Sequence, residues 1–325
     1  MEQEMFNQRT DLSQLSQAVE QIRQQLGKII VGQQDTIDLL IAGLLANGHL
    51  LLEGVPGVAK TLSAKLVAKS IAATFSRIQF TPDLMPSDVL GTAVFSPKTA
   101  EFQFRRGPIF GNIILVDEIN RAPAKTQSAL FEAMEERQVT VDGTTYRLEE
   151  PFMVLATQNP VEQEGTYRLP EAQLDRFLFK VEIKYPSLEE EIEILTQQHQ
   201  QNTQHQLEEI KPVLGIAQIT ALRAIIKALF VEPKLLAYAA QIVHETRQNK
   251  ALYLGASPRA SLALVNSAKA IAAMAGRDFV TPDDIIKVAT PVLAHRVMLS
   301  PEKEMEGLTT SDIISQIIKK IEVPR

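Results

Sequence analysis

His49-Leu50-Leu51-Leu52-Glu53-Gly54-Val55-Pro56-Gly57-Val58-Ala59-Lys60-Thr61 reads as a buried strand, a Gly/Pro turn and a lysine that opens a helix. From Gly54 the spacing matches the phosphate-loop pattern G-x-x-x-x-G-K-[ST], with Ala59 in the last glycine slot. Such a loop needs backbone N–H groups turned toward an anion, a helix N-terminus behind them, and a lysine set as a point charge against the β- and γ-phosphates. Gly54 and Gly57 supply the backbone freedom, Lys60 the charge, and Thr61 a hydroxyl suited to Mg²⁺. Alanine fits position 59 if the chain is right-handed helical there, because a positive φ would penalise its Cβ.

Downstream, Lys60 to Ala72 has helical spacing and Thr74 to Phe80 reads as a strand, which completes a strand-helix-strand unit. Parallel geometry then puts the loop at the carboxyl end of its strand, the edge where such sheets bind ligands. Asn112-Ile113-Ile114-Leu115-Val116-Asp117-Glu118 reads as a strand buried on both faces that ends at the same edge. Two adjacent acids there are costly unless a charge meets them. A Mg²⁺ ion and a reacting water would do so, with Asp117 in the metal shell and Glu118 polarising the water. A solvated strand end is the bland alternative for that stretch alone. Phe152 to Pro160 reads as a third buried strand whose Asn159 arrives beside the acids, either to orient water against a γ-phosphate or to cap a turn.

Between these strands, Thr81-Pro82-Asp83 looks like a helix start, with a cap, an N1 proline and an acid. Thr92 to Phe95 and Glu101 to Arg105 read as a hairpin or a bare loop. Asp142-Gly143 predicts a tight hairpin that sets Val141 opposite Thr144 and Val139 opposite Tyr146. Leu169 to Arg176 is a brief helix before the alternating strand Phe177, Phe179, Val181, Ile183. Arg176 has Ala172 and Gln173 at i−4 and i−3, so no intrahelical ion pair explains it and it is expected to reach outward.

Leu12, Leu15, Val19, Ile22, Leu26 and Ile29 form the apolar stripe of an N-terminal helix over 11–30, and a second apolar helix runs from Asp35 to Ala46. A composition break after Pro186 leads through a glutamine-rich run into five helical segments, Ala221–Phe230, Pro233–Gln248, Pro258–Ala275, Pro282–Val297 and Ser311–Ile321. The expected organisation is an N-terminal helix (1–30), an α/β domain (31–186) and a small all-helical domain (187–325). Two of the helix starts differ in a telling way. Thr281-Pro282-Asp283-Asp284 follows its cap with acids, whereas Ser257-Pro258-Arg259 follows its cap with a cation, at a cost of about 0.3–1 kcal/mol. Helix stability does not account for Arg259, and an anion in front of that helix would. A tolerated surface arginine is the alternative.

With 325 residues, 45% hydrophobic and 22% charged, the chain can bury two domain-sized cores. Its 33 basic and 39 acidic residues give a net charge of −6, which provides no global attraction to nucleic acid or an anionic membrane. The absence of cysteine excludes disulfides, a thiolate nucleophile and Cys-ligated zinc, and fits a reducing cytoplasm. No apolar run approaches the roughly 18 residues of a spanning helix, so neither secretion nor membrane insertion is expected. His49, His199, His205, His244 and His295 show no metal-ligand spacing.

These motifs together resemble those of the MoxR-type AAA+ ATPases: G-V-P-G-V-A-K-T at 54–61, L-V-D-E-I-N-R-A at 115–122, A-T-Q-N-P at 156–160, L-P-E-A-Q-L-D-R-F at 169–177 and G-A-S-P-R at 255–259. Alanine at position 59 is usual in that family. The resemblance implies an αβα sandwich with a five-stranded parallel sheet, followed by a helical lid. It further implies ATP or ADP with Mg²⁺, bound between subunits of a homo-oligomeric ring that is usually a hexamer. By the same likeness Val31, Gly32, Gly54, Val55, Pro56, Gly57, Val58, Ala59, Lys60, Thr61 and Leu62 surround the nucleotide, and Ile30 to Gln33 lies against adenine. Thr61 and Asp117 hold the metal, Glu118 prepares water, Asn159 is sensor 1 and Arg259 is sensor 2. Arg176 is the arginine finger of a neighbour, with Arg168 a second interface candidate. The hairpins at 92–105 and 139–146 match inserts that face the ring pore. The implied role is chaperone-like remodelling or maturation of partner proteins, such as von Willebrand factor A domain proteins or a metalloenzyme of the methanol dehydrogenase kind. A DNA-remodelling motor and an ATP-gated scaffold with little turnover are the alternatives, and the acidic balance and the intact Asp117-Glu118 pair weigh against them.

Overall fold

The computed structural model describes residues 11–55, 57–159, 167, 169–200, 208 and 210–324. Expectations placed on Pro56, Pro160, Arg168 and Gln201 to Gln206 lie outside these residues. In chain order the first nine strands are β1 (His49–Gly54), β2 (Phe75–Gln79), β3 (Gly91–Ser96), β4 (Glu101–Arg106), β5 (Ile113–Asp117), β6 (Gln138–Val141), β7 (Thr144–Arg147), β8 (Met153–Gln158) and β9 (Phe177–Ile183). Five of them form a parallel sheet in the order β2-β5-β8-β1-β9. Their apolar residues alternate between two buried layers, as a period of two requires. Leu50, Leu52, Leu115, Leu155 and Val181 enter one layer; Leu51, Ile114, Val116, Val154 and Ala156 enter the other.

The first layer is covered by α1 (Ser13–Gly27), α2 (Gln34–Leu45) and α3 (Lys60–Ser70), which close on the sheet through Leu15, Val19, Leu40 and Val67. On the other side, α4 (Pro86–Leu90) and α5 (Ala124–Glu136) cover the second layer, with Leu130, Phe131 and Met134 at its centre. The helix expected from Thr81 begins only at Pro86. The Thr81 hydroxyl donates to the Asp83 side chain rather than accepting from a helix N–H, and Asp88 instead accepts from the Met85 N–H. The 91–106 segment is a hairpin rather than a loop, and the second hairpin has the expected register, Val141 opposite Thr144 and Val139 opposite Tyr146. Phe104 stacks on Tyr146 with ring centroids 4.2 Å apart, so the two hairpins brace each other.

After α6 (Glu171–Leu174) and β9, the chain is helical: α7 (Leu188–Gln200), α8 (Ile216–Ala228), α9 (Pro233–Gln248), α10 (Pro258–Met274), α11 (Pro282–Leu293), α12 (Pro301–Met305) and α13 (Thr310–Lys320). Two short strands, β10 (Leu252–Leu254) and β11 (Met298–Leu299), pair antiparallel among them. Leu264, Ile271 and Leu293 of this lid share one unbroken apolar cluster with Leu40 and Val181. Each such side chain fully buried is worth about 1.5–3 kcal/mol, so apolar packing holds the lid to the sheet.

Candidate active site

The phosphate loop leaves β1 at Gly54, where no side chain fits: a Cβ there would stand 2.8 Å from the Ile183 carbonyl on β9. Gly57 has φ +90° with nothing within 4 Å of its Cβ position, so this part of the turn is open. Ala59 corrects the expectation from sequence. It is left-handed, with φ 59° and ψ 18°, not right-handed helical. The cost of about 1–2 kcal/mol is met locally, because the Ala59 carbonyl accepts from both the N–H and the hydroxyl of Ser63 and so fixes the turn into α3. Lys60 Nζ donates to the Gly54 carbonyl at 2.5 Å, folding its charge back over the loop. Thr61 and Leu62 are half-buried in the first turn of α3, Val55 packs against the core, and Val58 is buried. Gln33 donates to the Val58 carbonyl at 3.5 Å, which ties the 30–33 segment to the loop; Val31 is buried and Gly32 lies against Glu190 of α7.

Since β8 lies between β1 and β5, Asn159 follows its strand to a point between the phosphate loop and the acids. Asp117 is buried; Arg77 Nε donates to its Oδ2 at 2.7 Å and the Thr157 hydroxyl donates to its Oδ1 at 3.2 Å. The same hydroxyl accepts from the Glu118 N–H at 3.0 Å. Glu118 is left-handed, φ 57° and ψ 51°, a conformation that costs a non-glycine residue about 1–3 kcal/mol and aims its side chain off the strand axis. Its Oε2 accepts from Gln79 Nε2 at 2.9 Å and pairs with Arg121 Nε at 3.1 Å. Within this chain each acid has a cationic partner, Arg77 beside Asp117 and Arg121 beside Glu118.

Arg176 stands at the other rim of the sheet. It precedes Phe177, which pairs with His49 at the start of β1, whereas Gly54 pairs with Ile183 at the end of β9. At roughly 3.3 Å per residue the length of β1 alone separates the two levels by about 17 Å. Within the chain the Arg176 Nε lies 3.4 Å from Glu135 Oε2 at the end of α5, a tertiary ion pair without a hydrogen bond that helix spacing does not reveal. Arg259 meets the same carboxylate, with Nη2 at 3.1 Å from Glu135 Oε1. The anion that the first turn of α10 calls for is thus a glutamate of the α/β domain.

Beside this trio, Asp175 joins the two domains. Its carboxylate accepts from Arg296 Nε at 2.7 Å and from the Ser257 hydroxyl at 2.9 Å, and Ser257 is the N-cap of α10. Arg296 also donates to the Phe177 and Leu178 carbonyls. His49 and His295 are buried here, and among the described residues neither has a charged partner of opposite sign. Burial pushes His49 down to about 3 and His295 well below its usual range. Both are held as neutral rings, by Met134 and Val154 around His49 and by Phe177 beside His295.

The loop fits a polyphosphate: its turn is open at Gly57, Lys60 supplies a cation, and the α3 N-terminus stands behind it. Among the described residues no group of three His, Cys, Asp or Glu side chains forms a metal cage. Mg²⁺ at phosphoryl-transfer sites takes one or two protein oxygens and completes its shell with waters and substrate phosphates. Thr61 and Asp117 match that donor type. Sequence reasoning missed Arg77, Gln79, Thr157 and Glu135. The first two sit on β2, whose Gln79 pairs with Asp117; their alternating polar positions at a strand end carried the signal, but the pairing of β2 with β5 did not follow from the sequence.

Residues 49–179 match the model of the ATPase family associated with various cellular activities (AAA), and residues 244–317 match the AAA lid domain. The chain is 50% identical over 310 residues to the uncharacterized protein YeaC of Bacillus subtilis, covering 95% of each. It is 43% identical over 307 residues to Chaperone MoxR1 of Mycobacterium tuberculosis, covering 92% of this chain and 80% of the relative. A solved structure of a Cytophaga hutchinsonii protein assigned as an ATPase superposes with a TM-score of 0.88 at 42% identity, covering 96% of each chain.

Proposed function

The chain belongs to the MoxR-type AAA+ ATPases, and from that premise we propose that it is an Mg²⁺-dependent ATP-hydrolysing motor whose active site is shared between two protomers of a ring, expected to be a hexamer. One observation carries this reading. Lys60, Thr61, Asp117, Glu118 and Asn159 gather at the carboxyl rim, while Arg176 and Arg259 lie at the amino rim of the same chain, a strand's length away. The two sets meet only if one protomer's amino rim docks on the next protomer's carboxyl rim.

In that arrangement the phosphate loop holds the triphosphate, with Lys60 moving from the Gly54 carbonyl to the β- and γ-phosphates. Thr61 and Asp117 would hold Mg²⁺, which when bound supplies charge neutralisation at the phosphates. Glu118 accepts the proton of the attacking water and Asn159 orients that water; Gln79 and Arg121 hold the Glu118 carboxylate until then. Arg176 and Arg259 of the neighbour place cationic donors where negative charge builds on the transferred phosphoryl group. Asp175 ties this arginine rim to the lid, so nucleotide state at one site reaches the lid of the next protomer.

The work done with this energy is chaperone-like remodelling of a partner protein in the cytoplasm, as the family suggests. The hairpins β3–β4 and β6–β7 are the contact elements, with Phe102 75% exposed near the tip of the first. A von Willebrand factor A domain protein or a metalloenzyme is the expected class of client. Glu118→Gln protein held with ATP is the trap that tests this. It should capture a partner that wild-type protein in ADP releases, and equal recovery of the partner in both states counts against a remodelling role.

A further inference from the structure

We infer that Glu135 is the positioning residue of the arginine pair: its single carboxylate holds Arg176 and Arg259 side by side for delivery to a neighbouring protomer's triphosphate. The inference rests on the shared-site reading above. Glu135 belongs to none of the motifs that mark the nucleotide site, and it is the group through which three separate segments meet: the end of α5, the turn before β9 and the start of α10.

Helix energetics speak against a local role for either partner. Glu135 stands in the last turn of α5, where the helix dipole disfavours an anion, and Arg259 in the first turn of α10, where it disfavours a cation. Each is unfavourable in its own helix; among the described residues Glu135 is met by Arg176 of its own domain and, across the domain junction, by Arg259 of the lid. Two guanidinium groups brought close repel in the absence of a countercharge. Glu135 removes that repulsion, with Oε2 facing Arg176 Nε and Oε1 facing Arg259 Nη2. The Glu135 contact to Arg176 Nε, at 3.4 Å, is an ion pair without a hydrogen bond, which leaves the side chain loosely held. The Phe131 ring, 5.9 Å from the guanidinium carbon, steadies the group from the side.

The grip is strong enough to orient and weak enough to release. Glu135 and Arg259 side chains are 37% and 58% exposed, so solvent screens the pair and the ion pair is weak. A triphosphate offers charge-assisted, bidentate bonds to arginine and outcompetes a single half-exposed carboxylate. Glu135 thus sets where the two arginines start, without holding them once the neighbour's phosphates arrive.

Steady-state ATPase assays of Glu135→Gln test this. Turnover should fall about tenfold, as for a misplaced catalytic group, while KM for ATP stays within about twofold because the protomer's own phosphate loop is untouched. Glu135→Asp, which keeps the charge, should recover part of the loss. Added to Arg176→Ala, the Glu135→Gln change should cause no further loss. Mixed with Lys60→Ala protein it should regain activity, and mixed with Arg176→Ala it should not. Wild-type turnover in Glu135→Gln, a KM that rises in proportion to the lost turnover, or an additive loss in the Arg176→Ala background overturns the assignment. The control separates the two claims. If Arg176→Ala mixed with Lys60→Ala regains activity and Glu135→Gln behaves as wild type, only the role of Glu135 fails; if that control mixture stays inactive, the shared site itself fails.

Discussion

At the carboxyl rim of the sheet the reactive groups follow directly on strands β1, β5 and β8, whereas at the amino rim Glu135, Arg176 and Arg259 converge from α5, the β9 entry and the lid. The first rim is covalently prepared, since its side chains go wherever the strand ends go. The second exists only because the lid packs on the sheet and Asp175 ties Arg296 and Ser257 to the turn that carries Arg176. On the proposed shared site, the nucleotide-binding surface can therefore survive changes that disable the rim proposed to trigger it. That asymmetry suits a motor whose binding and firing are separate events.

Breaking the carboxyl rim should have the largest effect. Glu118→Gln removes the proposed proton acceptor and should lower turnover by about 10²–10⁴-fold with ATP binding retained, measured by single-turnover hydrolysis and nucleotide titration. Unchanged turnover rejects the role. At the amino rim, Arg176→Ala should cost about 10²–10³-fold in turnover with little change in ATP affinity, as expected for one missing electrostatic donor. Rescue by mixing with Lys60→Ala protein checks that the donor acts across the interface. A smaller effect should come from Asp175→Asn, which weakens the countercharge of Arg296, a side chain only 4% exposed. Unfolding stability should drop by about 1–3 kcal/mol, read by denaturant titration, while the phosphate loop still binds ATP. Loss of nucleotide binding in that variant would erase the distinction between the rims.

Acid should act most gently. His49, at about 3 when folded, and His295, well below its usual range, stay neutral in the native protein while the unfolded chain takes up protons below about pH 6.5. The unfolded state then binds more protons, so stability is complete above that pH and falls as pH drops toward the folded values, by up to about 1.4 kcal/mol per pH unit for each ring. Denaturation curves at pH 7.5, 6.5 and 5.5 measure the slope. A stability that rises on acidification through this interval would contradict neutral buried rings.

The two rims also differ in how far they could be read in advance. The buried strands, the Asp142-Gly143 hairpin with its register and the lid helices followed from hydrophobic period and turn chemistry, which act over a few residues. The helix start at Thr81 did not, because a Thr-Pro-Asp sequence serves a turn as readily as a cap, and the side-chain bond from Thr81 to Asp83 favoured the turn. Ala59 was misjudged for a similar reason, since what permits its left-handed backbone is the commitment of its carbonyl to Ser63. The oddity of Arg259 was visible in its cap, but its partner was not.

By itself the sequence determined which residues end strands, which open helices and which carry uncompensated charge, because those properties depend on near neighbours and on the pitch of the chain. Only the tertiary structure decided that Arg77 meets Asp117, and that Glu135 gathers Arg176 and Arg259. Those pairings depend on strand order and on how the lid seats against the sheet. Both are set by the summed burial of many apolar side chains, and no local motif encodes that sum.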